Sequence, residues 1–356
     1  MAATQVSAVQ KRRLSAFWSA NLFQNQGVLV FVVLIVVFLV GSLVFGSTFY
    51  SSYNITTMLV FNSMFAFISL GMTFVIMTGG IDLSVSSVAV LTSMLAAWFS
   101  RFGLLPAIFV PVLVGVLIGL FNGWSVAKLG ILPFIATLVT FMGARGLALI
   151  MPKIYGIYLN NLFPNVPWSW TDNVADYSIG IDRSQNFQAI LGNFLGLPIP
   201  VWLIIIAYFI GAILLQYTRF GRVTLSIGDN NEEAARLMGL PVTTTKLLVY
   251  AMSGGLAGLA GVILASRSGT ALPTEAVGWE LQAISAVVVG GTLLTGGKGS
   301  VVSTLIGVLL LGLIFNMLNF INVGGFSLTV YWQAVVRGTF LFVVVLLQSS
   351  WLRRNR

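Results

Sequence analysis

Four charged residues, Asp82, Arg145, Glu280 and Arg337, stand inside or beside long apolar stretches of this 356-residue chain. Each costs several kcal/mol in hydrocarbon (about 2.5–3.5 on insertion scales) unless paired or hydrated, so each is a functional candidate. Arg145, in "FMGARGLA", lies deepest. Pairing with Asp82, capping a helix end and lining a polar path are the roles open to it. Arg337, in "AVVRGTF", is placed similarly. "MTGGIDLSVSSV", residues 77–88, sets a glycine pair, an acid and serines between apolar runs. Gly79 and Gly80 break the helix, Asp82 can cap the next one, and Ser84 can satisfy freed backbone groups. Transporters place such broken helices beside their pathways, although a plain tight turn uses the same residues.

The other polar concentration is "GDNNEEAARLMGLPV", residues 228–242, where Asp229, Glu232, Glu233 and Arg236 crowd together in a chain only 8% charged. As a short amphipathic helix it offers Ala234, Ala235, Leu237 and Met238 to a groove, with Glu232, Glu233 and Arg236 at the rim. Gly239 before Leu240-Pro241 stops it sharply. An ordinary solvated loop helix is the plainer reading.

Much chemistry is excluded. The chain has no histidine and no cysteine, so disulfides, thiolate or imidazole metal sites and nucleophile–histidine pairs are all absent. We expect no metal and no catalytic residue. The nearest approach to a phosphate loop, "GGTLLTGGKGS" at 290–300, has Thr292 in place of the first glycine and Gly299 where Ser or Thr should follow the lysine. The chain should not hydrolyse ATP alone, and no cofactor of its own is expected.

The elements that position these residues are membrane spans. Hydrophobic residues make up 58% of the chain, well above the roughly 45–50% of soluble domains. A net charge of +9 would point to nucleic acid in a soluble protein; here it reflects Lys and Arg collected in cytoplasmic loops, and no nucleic-acid partner is expected. At about 20 residues per crossing, ten spans fit, near 27–46, 58–78, 83–100, 104–126, 131–151, 200–217, 247–266, 276–295, 300–321 and 329–348. The eighth is the weakest, because its apolar run is short and Glu280 sits near its start. The expected fold is therefore an all-α polytopic bundle. Residues 1–26 form an N-terminal arm, 27–348 the transmembrane domain and 349–356 a tail.

Basic residues orient it. Lys11, Arg12, Arg13, Lys128, Arg219, Arg222, Arg236, Lys246, Lys298, Arg353, Arg354 and Arg356 collect on one side, against Arg101, Lys153, Arg183 and Arg267 on the other. That asymmetry puts both termini and the loop 218–246 in the cytoplasm. The loop 152–199 then lies outside, its tryptophans serving as interfacial anchors or as a docking surface. Gly115, Gly119 and Gly123, and likewise Gly254 and Gly258, recur every four residues, which lets helix backbones approach closely. "TGGIDLSV" at 78–85 and "TGGKGSVV" at 295–302 echo one another faintly, and coincidence suffices to explain it.

The motifs "GMTFVIMTGGIDLSVSSV", "LPFIATLVTFMGARGLA", "FGRVTLSIGDNNEEAARLMGLPV" and "AISAVVVGGTLLTGGKGSVVSTLIG" occur in that order. Over residues 60–348 the chain resembles the ribose-type permease subunits of bacterial ABC sugar importers. The resemblance implies a vitamin-B12-permease-like bundle of about ten helices, some broken, in the bacterial inner membrane. It implies a second permease subunit, identical or related, a cytoplasmic ABC ATPase that binds the ATP, and a periplasmic binding protein that delivers a monosaccharide. By the same resemblance Gly228, Asp229, Asn230, Glu232, Glu233, Ala234, Arg236 and Gly239 answer to the ATPase-coupling segment. Pore or gating candidates are Gly79, Gly80, Asp82, Ser84, Asn122, Phe134, Arg145, Thr295, Gly296 and Gly297, with Asn62, Thr137 and Asn316 as further polar surfaces. The alternative is an ion-coupled secondary sugar transporter, for which Asp82 is the only acid near mid-membrane.

Overall fold

A computed structural model describes residues 26–162, 178–181, 187–229, 231–323 and 326–327, with a few positions between 332 and 342. Its helices are α1 (Gln26–Phe45), α2 (Ser52–Met77), α3 (Val85–Phe99), α4 (Leu104–Ala127), α5 (Pro133–Leu162), α6 (Ile199–Tyr217), α7 (Arg219–Ile227), α8 (Glu232–Leu237), α9 (Val242–Ser268), α10 (Trp279–Val289) and α11 (Val301–Phe320). Among the described residues eight helices are long and apolar enough to cross a membrane: α1 to α6, α9 and α11. The expected tenth span, 329–348, and Arg337 lie largely outside the described residues.

The eighth expected span is where the structure departs most from the ten-helix reading. α10 has 11 residues, about 16 Å at 1.5 Å per residue, half the ~30 Å hydrocarbon core. Gly290 and Gly291 end it, the second at φ 91°, and residues 290–300 continue without helix to Ser300. That serine caps α11, accepting a hydrogen bond from the Ser303 amide. α5 differs in the other direction, running through Pro152 to Leu162 instead of stopping near 151.

Burial sorts the helices. α2, α3 and α9 are mostly buried, whereas α1, α4, α5 and α6 present long exposed apolar faces suited to lipid. α9 is the axis of the bundle, and its small residues allow that. A Cβ on Gly254 would lie 2.1 Å from the Gly115 carbonyl oxygen, and one on Gly119 2.1 Å from the Tyr250 carbonyl oxygen. The four-residue glycine spacing on α4 and α9 thus marks one shared helix contact; the sequence indicated close approach, and the structure supplies the partner. Gly261 does the same against α3, at Ala89 and Thr92.

At the end of the bundle away from α8, β1 (Ile179–Gly180) pairs antiparallel with β4 (Thr270–Ala271), tying the 152–199 region to the α9–α10 connection. Two further antiparallel pairs are hairpins: β2 (Asn193–Phe194) with β3 (Leu197–Pro198), and β5 (Asn322–Val323) with β6 (Phe326–Ser327).

Gly119→Val would drive a branched side chain into the α9 backbone. We expect a loss of at least ~1–3 kcal/mol, read as a lower thermal midpoint of the detergent-purified protein; an unchanged midpoint would contradict the contact.

Candidate functional site

Three loops converge at one end of the bundle: the α2–α3 turn, the α7–α8 turn and the segment between α10 and α11. Thr218 caps the start of α7 by accepting from the Gly221 amide, and the α7–α8 turn begins at Gly228. It passes through Asp229 at φ 56° and enters the six-residue α8. Asn230 lies outside the described residues. α8 closes with Gly239 at φ 74°, its amide bonding the Arg236 carbonyl and the Leu240 amide bonding the Ala235 carbonyl. This is the Schellman arrangement, and its left-handed residue favours glycine.

α8 is fastened on one face and open on the other. Ala235 is fully buried against Val223, Ile227 and Val242. That corrects the expectation that Ala235 is offered to a partner. Leu237 and Met238 are 85% and 68% exposed, and Ala234 is exposed beside them. Glu232 pairs with Arg236 at 3.0 Å and with the largely buried Lys246 of α9; Glu233 is exposed. Partial burial pushes the Glu232 carboxyl up, but hydrogen bonds and charge from Lys246 and Arg236 outweigh it and hold it below the ordinary carboxylate range.

The clamp is therefore complete above the ordinary carboxylate range and is lost as pH falls through the lowered folded value. For Glu232→Gln at neutral pH we expect amide exchange across 228–239 to rise roughly two- to five-fold, for pairs worth about 0.5–1 kcal/mol. Unchanged exchange would show that the clamp does not hold α8.

The three loops touch through glycine. The Gly297 amide donates to the Met77 carbonyl at 3.0 Å, and the Asp229 amide to the Thr295 carbonyl at 2.7 Å. A Cβ on Gly228 would lie 2.0 Å from the Gly297 nitrogen and 2.4 Å from the Met77 carbonyl oxygen; one on Gly296 would lie 2.7 Å from the Gly79 nitrogen. Gly79, Gly296 and Gly297 all have positive φ. The two echoing TGG segments are thus in contact, both turning a chain at the same end of the bundle. Gly228→Ala should part these backbones, lowering the thermal midpoint and raising exchange at both TGG turns; protection retained there would contradict the junction.

Past the first TGG turn the chain runs into the bundle, where Asp82 is fully buried. One carboxylate oxygen accepts from the Ser84 amide at 3.0 Å and the Ser84 hydroxyl at 2.6 Å; the other accepts from the Ser253 hydroxyl of α9 at 2.8 Å. Asn122 donates to Ser84 at 2.9 Å and accepts from Thr140 at 2.8 Å. Thr137 donates to the Ile81 carbonyl. Asp82, Ser84 and Asn122 therefore form one hydrogen-bonded group joining four elements. Ser253 and Thr140 had no sequence signal, since hydroxyls spaced among glycines and alanines read as packing.

Other expected residues stand apart. Arg145 does not pair with Asp82: it donates to the Pro273 and Glu275 carbonyls at 2.8 and 2.9 Å, fixing the α9–α10 connection at the opposite end. The Glu275 carboxyl in that connection is raised by burial, against a hydrogen bond from Ser268 and the charge of Arg267. Phe134 is 54% exposed on the outer face of α5. Asn62 is buried against Gly312, and Asn316 exchanges hydrogen bonds with Asn54.

Comparison with known proteins supplies the class. Residues 54–345 match a family described as "Branched-chain amino acid transport system / permease component". The chain belongs to this permease family. The ribose import permease of Haemophilus influenzae is 38% identical over 319 residues, 89% of this chain and 91% of that protein. That of Bacillus subtilis is 39% identical over 83% of this chain and 84% of its own length. The L-arabinose transport system permease of Escherichia coli is 35% identical over 93% and 92%. The resemblance read from four motifs thus extends over nearly the whole permease, and the named relatives handle sugars although the family description speaks of amino acids.

Proposed function

We propose that this protein is the membrane-spanning subunit of an ATP-driven importer for a monosaccharide, in the bacterial inner membrane. Near full-length similarity to ribose and arabinose permeases carries the reading. The lack of a phosphate loop in the sequence accords with energy entering from a separate ABC ATPase, which binds the ATP, while a periplasmic binding protein delivers the sugar. A second permease subunit completes the pore, with lipid around the exposed apolar helices. On this reading the basic-rich end that carries α8 is cytoplasmic, and the permease itself performs no catalysis.

The contacts support a coupling route. Leu237 and Met238 are the exposed apolar residues with which α8 docks in an ATPase groove, and Glu233 and Arg236 stand at its rim. A displacement of α8 pulls on Asp229, whose amide holds Thr295, and on Gly228, which is packed on Gly297 and Met77. The α2–α3 turn and the broken α10–α11 segment then move together. Ion coupling is the weaker reading, because the single acid it relies on is sealed by three hydrogen bonds in the Ser84–Ser253 group.

Changing Leu237 and Met238 together to Asp removes apolar anchors of the kind that dominate interfaces. In vesicles holding the permease, its ATPase and the binding protein, ATP-dependent uptake should fall about tenfold or more, ~1.4 kcal/mol or above, with membrane insertion intact. Uptake by the permease alone, driven by an ion gradient without ATP, would overturn the proposal.

A further inference from the structure

Between α8 and the bundle lies a cavity of about 730 Å³, within the 300–1,000 Å³ range of small-molecule sites. Tyr250 is among its lining, a residue only 1% exposed whose hydroxyl oxygen is buried and has no hydrogen-bond partner. Gly80 leaves that hydroxyl its room, since a Cβ there would lie 2.5 Å from the oxygen. Native proteins pair nearly all buried polar atoms, so a buried, unpartnered hydroxyl beside a cavity points to an occupant.

The rest of the lining describes that occupant. Thr78 and Thr295 add hydroxyls from the two TGG turns, and Leu132 and Pro133 give an apolar wall. The charges at the rim are Glu232, Glu233, Arg236 and Lys246, two acids against two bases, and Glu232 already holds both cations. A neutral polyol fits this set: hydroxyls for Tyr250 and the threonines, an apolar ring face for Leu132 and Pro133, and a rim whose one acid outside these ion pairs, Glu233, is exposed. A nucleotide or organic acid would bring an anion for which no unpaired cation is present among these lining residues.

The cavity is also placed to act. Part of its wall is α8, and the remainder comes from the two TGG turns, α9, Ile227 of α7 and the α4–α5 connection. A ligand there would bridge the moving helix to the bundle and favour the arrangement in which the two are close. Resting on the importer reading above, we infer that this cavity is a product-side site for the transported monosaccharide, and that its occupancy from the α8 side restrains α8 and slows further uptake.

The test uses vesicles holding the permease with its ATPase facing the lumen and the binding protein outside. D-ribose, L-arabinose and D-fructose are screened for ATP-driven uptake, and the sugar taken up is then preloaded at millimolar concentration, with L-glucose as the osmotic control. Preloading should slow initial uptake several-fold and lower ATP hydrolysis in parallel, which separates restraint from isotope dilution. Tyr250→Phe, and independently Leu132→Trp, which fills the cavity from an exposed position, should each bring the ratio of loaded to unloaded rates close to one. Uptake and hydrolysis indifferent to the preloaded sugar would overturn the site, as would slowing that persists in both variants. Failure to take up any of the three sugars would instead sink the importer reading, and the product site with it.

Discussion

A Cβ on Gly228 would sit 2.0 Å from the Gly297 nitrogen, a separation no side chain tolerates, and the architecture around α8 depends on that closeness. Where three backbones meet without side chains, their amides and carbonyls bond directly, as Gly297 does with Met77 and Asp229 with Thr295. Such a contact is stiff: the α10–α11 segment is hydrogen-bonded to both other loops and cannot shift by a side chain's width without breaking those bonds. The short helix that follows Gly228 is consequently geared to both reversals of the chain. α8 itself adds little stability, being six residues pinned by one buried alanine and a carboxylate shared between two cations.

Above the junction the bundle is organised to keep polar backbone and side chains out of lipid. The chain after Gly80 is not helical until Val85, and its freed groups would be costly in hydrocarbon. Asp82 and Ser84 answer this locally, and Ser253, Asn122 and Thr140 extend the answer across α9, α4 and α5. Close helix packing makes that reach possible, because glycines on α4 and α9 bring the backbones to contact. At the opposite end Arg145 replaces packing with hydrogen bonding, using its guanidinium to hold the carbonyls of residues 273 and 275.

Much of this was legible in the residues. The polar run 228–242, the helix-stopping Gly239 and the paired glycine faces behaved as their spacing implied, because caps and four-residue periodicities are local properties. Arg145 and Phe134 were grouped with the polar path only because one is charged and the other aromatic. The structure places Arg145 at the far end and Phe134 at 54% exposure on the surface. The eighth span was the weakest of the ten expected, its apolar run being short, and Gly290 and Gly291 stop that helix after 11 residues.

The sequence by itself determined that the chain is a multi-span helical membrane protein of the sugar-permease kind, with one short helix set apart from the spans. Those conclusions rest on composition, periodicity and ordered motifs, none of which needs a partner distant in the chain. Only the tertiary structure decided which residues meet. Asp82 and Ser253 are 171 positions apart, and Arg145 is 128 from the carbonyl of Pro273. The two TGG turns read as chance repetition until they were seen in contact, and the unpartnered hydroxyl of Tyr250 appears only in the folded chain, beside the cavity that α8 helps to enclose. Hydropathy and helical period report which face of a helix is apolar; they carry no information about which neighbour that face finds.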